Sequence, residues 1–257
     1  MRTIITGAAS GIGKAVAHKL CGLADAQLLL VDRDADSLRA AAAELDGLAR
    51  IETIVADLSD PNIPESIVAR CVRLFDGVDG IVSNAGSIEG TLLADLTIDQ
   101  FDRSFAVNAR PTWLLGKAAR PYLAQSKGSI VATASMAAEH PAPPLGAYSA
   151  SKAALVMLVR QMAIEWGAEG IRCNCVSPGP TVTPMNPGYA DPERRNQRAG
   201  AIPLRKLGVA DDVANAIVFL LGPDAGQITA QNLVVDGGMG HSVMVMSTLG
   251  STPPQPA

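Results

Sequence analysis

Short runs of β-branched and aliphatic residues alternate along the chain with longer stretches in which apolar positions recur every three or four residues. By this pattern Thr3-Ile4-Ile5 and Leu28-Leu29-Leu30-Val31 are strands, and residues 51–56, 80–83, 129–133, 172–176 and 233–235 supply more. Between them, residues 11–23 and the alanine-rich 34–45 have helical spacing, and long helices are predicted at 101–123 and 148–166. A strand that is apolar at every position has both faces covered, so the alternation predicts a parallel sheet between two helical layers. Right-handed crossovers then give a doubly wound α/β sheet of about seven strands, with ligands at its carboxyl edge.

No repeat and no charged linker divides the sequence, which predicts a single domain over residues 1–257. Two segments break the rhythm. Residues from about 180 to 208 are rich in proline and glycine, as a mobile lid over a substrate would be. Residues from about 240 to 257 end in Ser-Thr-Pro-Pro-Gln-Pro-Ala and are predicted to be a flexible tail. The short apolar part of that tail, 243–246, either docks on a partner subunit or packs on its own chain.

Composition narrows the function classes. Alanine, leucine, valine and glycine dominate and aromatics are only 4%, which suits helices on a parallel sheet. A net charge of −4 without a basic stripe argues against a nucleic-acid partner. Four scattered cysteines form neither a disulfide framework nor a zinc site. Cys173 and Cys175 share one face of a strand and read as buried free thiols rather than a redox pair. Strand-like residues begin at Arg2, and no charge-free apolar run reaches the roughly 20 residues that cross a bilayer. A soluble, cytoplasmic protein is the expectation.

Candidate chemistry lies at the strand ends. Thr6-Gly7-Ala8-Ala9-Ser10-Gly11-Ile12-Gly13 joins the first strand to the first helix, where glycines let backbone approach a pyrophosphate at the positive helix terminus. Asp32 ends the second strand, about twenty residues on, where a carboxylate accepts from both adenosine ribose hydroxyls. Its charge repels a 2′-phosphate, so NAD is expected ahead of NADP, although the neighbouring Arg33 could partner that phosphate. Asp57 and Leu58 follow the third strand, where the carboxylate could meet the adenine amino group. Asn84-Ala85-Gly86 follows the fourth, with small residues that let the chain pass beneath a ribose. Each alone could be an ordinary turn; at successive strand ends they describe one crevice.

Tyr148 and Lys152 stand four residues apart, on one face of a helix. A phenol of pKa about 10 needs a nearby cation to act as a base near neutrality. Ser135, after the 129–133 strand, can donate to a substrate oxygen as charge develops there. Alone, a tyrosine and a lysine at this spacing are commonplace on helices.

The whole set resembles the short-chain dehydrogenase/reductase family, in its NAD-preferring branch, over residues 3–238. Thr6-Gly7, Gly11 and Gly13 are similar to its cofactor motif, with Ser10 and Ile12 inside it, and Asn84-Ala85-Gly86 to its sheet-stabilising motif. Ser135 precedes Tyr148 by thirteen residues, as in the family, and Lys152 completes the centre. Asn108 matches the fourth catalytic residue, whose implied role is to hold a water linking the lysine to solvent. Pro178-Gly179 and Thr183 match the segment that grips the nicotinamide carboxamide, with Thr181 where the family usually carries Val or Ile. Asp236-Gly237-Gly238 matches the closing strand. The resemblance implies a Rossmann-like domain and hydride transfer between a secondary alcohol and NAD. In it Tyr148 takes the alcohol proton, Lys152 lowers the tyrosine pKa and binds the nicotinamide ribose, and Ser135 fixes the substrate oxygen. It also implies a homo-oligomer, tetramer or dimer, built on the long helices, where the run Leu155-Val156-Met157-Leu158-Val159 fits interface and core equally.

Three rivals frame that expectation. A sugar-nucleotide epimerase or dehydratase would show tighter glycine spacing. A non-catalytic NAD-binding regulator would have lost Tyr148 or Lys152. An NADPH-dependent 3-oxoacyl thioester reductase keeps the chemistry and could use Arg194, Arg195, Arg198, Arg205 and Lys206 to greet an acidic carrier. Substrate identity rests on residues 136–146, with His140 as a loop residue, on 184–207, with Met185 and Tyr189, and on the tail. These suggest a partly apolar pocket for a hydroxysteroid, a cyclic diol or another hydrophobic alcohol.

Overall fold

The computed structural model describes residues 1–242. In chain order it runs β1 (Arg2–Thr6), α1 (Gly11–Cys21), β2 (Gln27–Asp32), α2 (Ala35–Glu44), β3 (Arg50–Val55), α3 (Ile63–Phe75) and β4 (Gly80–Ser83). There follow α4 (Ile98–Asn108), α5 (Arg110–Ser126), β5 (Ser129–Thr133), α6 (Tyr148–Trp166), β6 (Arg172–Pro178) and β7 (Thr181–Val182). The chain continues through α7 (Pro192–Gly200), β8 (Gly208–Val209), α8 (Ala210–Leu221) and β9 (Asn232–Val235). The main sheet has seven parallel strands in the order β3-β2-β1-β4-β5-β6-β9. Strand order reverses between β1 and β4, which opens a crevice at the carboxyl edge.

Strands apolar on both parities explain the two layers. Ile4, Leu29, Ile81 and Ile130 face one core, closed by Ile67 and Phe75 of α3, Leu115 and Leu123 of α5 and Leu155 and Trp166 of α6. Ile5, Leu28, Leu30, Val82 and Val131 face the other, closed by Val16 and Leu20 of α1, Leu38 of α2 and Ile217 and Leu220 of α8. Leu28 to Val31 are wholly buried, each worth about 1.5–3 kcal/mol relative to an exposed side chain. The 155–159 run divides by helical period: Leu155, Val156 and Val159 enter the core, and Met157 stays 60% exposed. All four cysteines are free and buried; burial pushes the thiols of Cys71, Cys173 and Cys175 up to about 12. Among the described residues no helix is long and apolar enough to cross a membrane, and no cluster of metal-binding side chains occurs.

Two expectations need correction. The single helix over 101–123 is two, because Ala109 leaves helical geometry at φ −126°, ψ −55° between α4 and α5. Pro111, in the first turn of α5, has no N–H to return to the carbonyl four residues back, so a new helix starts there. The 180–208 segment also has an unforeseen clamp, since β7 pairs with β8 in parallel and fixes its two ends side by side. The tail segment 243–257 lies outside the described residues.

Candidate active site

A cleft of about 860 Å³ runs along the carboxyl edge of the sheet. Gly7, Ser10, Gly11, Ile12, Asp32, Arg33, Asp57, Leu58 and Asn84-Ala85-Gly86 line one end. Ser135, Tyr148, Lys152, Pro178-Gly179, Thr181 and Thr183 line the rest. Two expected site residues, Gly13 and Asn108, stand behind the wall.

Backbone chirality fixes the turn after β1. Gly7 and Gly11 have φ of +65° and +53°, conformations that favour glycine. Gly13 is packed so closely that a Cβ there would lie 2.1 Å from the Gly7 carbonyl oxygen. The Thr6 hydroxyl accepts from the amides of Asn84 and Ala85, both at 3.0 Å, and so ties the ends of β1 and β4. The Asn84 amide donates to the carbonyls of Thr6 and Gly7 at 3.3 Å, and its oxygen accepts from the Thr133 hydroxyl at 3.0 Å. The sheet-stabilising role expected of Asn84 is thus visible as bonds spanning β1, β4 and β5.

The residues present fit a dinucleotide. α1 opens on the cleft with no side-chain cap on its first amides and no acid in its first turn, so its positive end faces the ligand space. Thr183 seats against Gly11, 3.5 Å from where a Cβ would be. Asp32 is aimed by two backbone amides, accepting from Ala9 and Asp34 at 3.1 Å each. Asp57 accepts from the Ser59 amide at 2.9 Å, which, with its other bond to Ser59 and the charges of Arg103 and Arg33, holds its carboxyl below the usual range. Thr181 satisfies its hydroxyl by donating to the Gly179 carbonyl at 2.9 Å, so a polar residue is tolerated at this buried position.

Tyr148 opens α6 and is 7% exposed; Lys152, one turn on, is 3% exposed. The ammonium donates to the Thr133 carbonyl at 2.8 Å and stands 5.8 Å from the Tyr148 ring centre. Gly86 leaves it room, since a Cβ there would lie 3.4 Å from Lys152 Nζ. Ser135 starts a short 3₁₀ turn, Met136–Ala138, and its oxygen accepts from the Ala137 amide at 3.1 Å.

Electrostatics here differ from expectation. Burial holds the Tyr148 hydroxyl above its ordinary value of ten, with a hydrogen bond to Ser135 pulling the other way. Burial also brings Lys152 down to about 8. Loss of water around both groups thus disfavours phenolate and ammonium alike. Lys152 binds a proton less readily folded than unfolded, so it disfavours the fold below pH 8 and ceases to do so as pH rises toward 10.5. The stability advantage of Lys152→Met over wild type should accordingly shrink by about 2 kcal/mol between pH 7 and pH 10, read from urea unfolding. An advantage unchanged across that interval contradicts it.

Asn108 is also placed differently. Its oxygen accepts from the Ser87 amide at 2.8 Å, and its amide donates to the Ser87 carbonyl at 3.0 Å and the Ser151 hydroxyl at 3.1 Å. Both donor hydrogens are spent on protein, so the side chain braces the wall under Lys152 instead of offering its amide to a water. Sequence reasoning missed Ser87, Ser151 and Thr133. Their contacts are long-range, through backbone atoms of Ser87 and Thr133 and the hydroxyls of Ser151 and Thr133, and the only cue was the polar character of Ser151 and Thr133 beside otherwise apolar positions.

Comparison with known proteins places these features in context. The protein-family model described as enoyl-(acyl carrier protein) reductase matches residues 7–240. The 2-(R)-hydroxypropyl-CoM dehydrogenase of Xanthobacter autotrophicus is 36% identical over 244 residues, covering 91% of this chain and 96% of that protein. The crystal structure of levodione reductase aligns with a TM-score of 0.87 at 31% identity, over 93% of this chain and 97% of that one. A 7α-hydroxysteroid dehydrogenase complexed with NADH and 7-oxo glycochenodeoxycholic acid aligns with a TM-score of 0.85 at 30% identity, over 92% of each chain.

Proposed function

This chain belongs to the short-chain dehydrogenase/reductase family, and from that premise we propose that it interconverts a secondary alcohol and its ketone with NAD as hydride carrier. The supporting observation is that Ser135, Tyr148 and Lys152, the last two one turn apart on α6, line the same cleft whose glycine-turn end carries Asp32. When bound, the dinucleotide supplies a hydride acceptor at its nicotinamide ring.

The chain's own residues do the rest. The Gly7–Gly11 turn and the start of α1 hold the pyrophosphate, with Ser10, Ile12 and the close-packed Gly13 shaping that turn. Asp32 takes the adenosine ribose hydroxyls, with Arg33 at the rim. Asp57 and Leu58 flank the adenine, and Asn84, Ala85 and Gly86 pass beneath the ribose. Pro178, Gly179, Thr181 and Thr183 orient the carboxamide end. Tyr148 accepts the alcohol proton, Ser135 donates to the substrate oxygen, and Lys152 binds the nicotinamide ribose. Asn108 braces the Ser87 backbone and the Ser151 hydroxyl, which in turn donates to the Tyr148 carbonyl. Cyclic or hydrophobic alcohols suit Met185, Tyr189 and Leu145 in the lining. One domain carries both tasks. Assembly into a homo-oligomer is supported by the exposed Phe101, Trp113, Met157 and Ile164 on α4 to α6.

Cofactor choice gives the direct test. Two like charges about 4 Å apart repel by about 4 kcal/mol at an effective dielectric near 20, so Asp32 should exclude a 2′-phosphate even after solvent screening. With a panel of cyclic and open-chain secondary alcohols, kcat/KM should favour NAD over NADP at least tenfold, and Asp32→Ser should erase the preference. Absence of hydride transfer to either dinucleotide across the panel sinks the proposal. A wild-type preference for NADP sinks the cofactor assignment alone.

A further inference from the structure

The cleft is electrostatically divided. Its carboxylates, Asp32, Asp34 and Asp57, all sit at the glycine-turn end. Among the described residues no carboxylate lines it around Ser135 and Tyr148, and the basic side chains there are Lys152, His140 and Arg198. Acids close to that end are already engaged. Asp236 accepts from the amides of Gly238 and Gly240 at 2.8 and 2.6 Å, and Glu139 accepts from Asn232 at 3.3 Å. Asp191 accepts from the Glu193 amide at 3.0 Å and pairs with Arg194 at 3.7 Å. In a chain of net charge −4, the described residues thus put no lining carboxylate in the substrate half of the cleft.

The basic residues of the 180–208 segment are not equivalent. Arg194 is taken by Asp191, Arg195 donates to the Tyr189 carbonyl, and Arg205 donates to the Gly200 carbonyl. Lys206 does not line the cleft. Arg198, in the last turn of α7, does line it, and its guanidinium has no hydrogen-bond or ion-pair partner among the described residues. This exposed cation, on a cleft wall that also carries Tyr189 and Met185, is open to an anion supplied by the ligand. The planar fork of a guanidinium matches a carboxylate with two parallel bonds, which gives orientation as well as affinity.

We propose that Arg198 determines specificity by receiving a carboxylate borne by the substrate, remote from the carbon that exchanges hydride. The inference rests on the proposed function only for which end of the cleft the substrate occupies. It commits the site to hydroxy or keto acids in preference to neutral alcohols of the same skeleton. It also narrows the role of the lid: one arginine selects a small ligand, and the others hold the lid together.

The test uses 3-oxocyclohexanecarboxylate and its methyl ester, titrated calorimetrically into the full chain saturated with NAD, where no turnover occurs. The carboxylate should bind at least tenfold more tightly than the ester to wild type. In Arg198→Met the two should agree within twofold, with Arg198→Lys intermediate, and NADH affinity should stay within twofold of wild type. Equal affinities in wild type, no binding of either probe, or a difference that survives Arg198→Met overturns the proposal. So does a parallel loss of NADH affinity, which would assign Arg198 to the cofactor phosphates. NADH oxidation by the same ketones is read separately. Its absence alongside an Arg198-dependent binding difference refutes the proposed reaction and leaves the anion site standing.

Discussion

Tyr148→Phe lowers kcat/KM at least a hundredfold while leaving NAD affinity within about twofold, as measured by NADH formation and by fluorescence titration of the dinucleotide. The substitution removes one oxygen and keeps a ring that is 7% exposed, so packing at the start of α6 persists. What disappears is the group proposed to accept the alcohol proton, and general bases contribute about 10²–10⁴ to rate. The Lys152 bond to the Thr133 carbonyl, 2.8 Å long, does not involve the phenol and should survive. Loss confined to kcat/KM therefore separates proton transfer from cofactor binding. Near-normal turnover would remove Tyr148 from the chemistry.

Gly13→Ala should be the most damaging glycine-to-alanine change among the described residues. Its Cβ would lie 2.1 Å from the Gly7 oxygen and 2.7 Å from Asn84 Nδ2, both parts of the turn that holds the pyrophosphate. Neither neighbour is the free end of a flexible side chain, so the turn itself must shift. Overpacking of this kind costs about 1–3 kcal/mol, and dinucleotide affinity should fall at least tenfold with it. Gly167→Ala is the matched control, because nothing lies within 4 Å of its Cβ position and its φ is −58°. Thermal melts with and without NAD should show a lower Tm and a weakened ligand-induced rise for the first variant, and neither for the second. Indistinguishable melts would mean that the close packing at Gly13 carries no consequence.

These outcomes bear on features that were legible to different degrees. The seven main strands could be read because burial on both faces makes residues such as 28–31 apolar at every position, a signal that local sequence carries in full. The glycine turn, Asp32 and the Tyr148–Lys152 pair were equally plain, since their spacing is set within one turn or one helix. The break at Ala109 was hidden because apolar spacing continues on both sides, leaving Pro111 as the only cue. Two-residue strands such as β7 and β8 have no periodicity to detect. The partners of Asn108 could not be foreseen, because Ser87 lies 21 residues away and contributes only backbone atoms. The fate of the lid arginines was invisible for the same reason: two of them end on carbonyl groups, which no residue code announces.

Thr133 has a double attachment with a mechanical consequence. Its carbonyl takes the Lys152 ammonium, and its hydroxyl reaches Asn84, which in turn grips the Gly7 carbonyl. The glycine turn after β1 and the Lys152 ammonium are thereby joined by a two-member truss laid across the strand tips. The two ends of the proposed site are thus tied to one scaffold through direct hydrogen bonds. Such tethering matters, since a misplacement of about 1 Å can cost a hundredfold in rate.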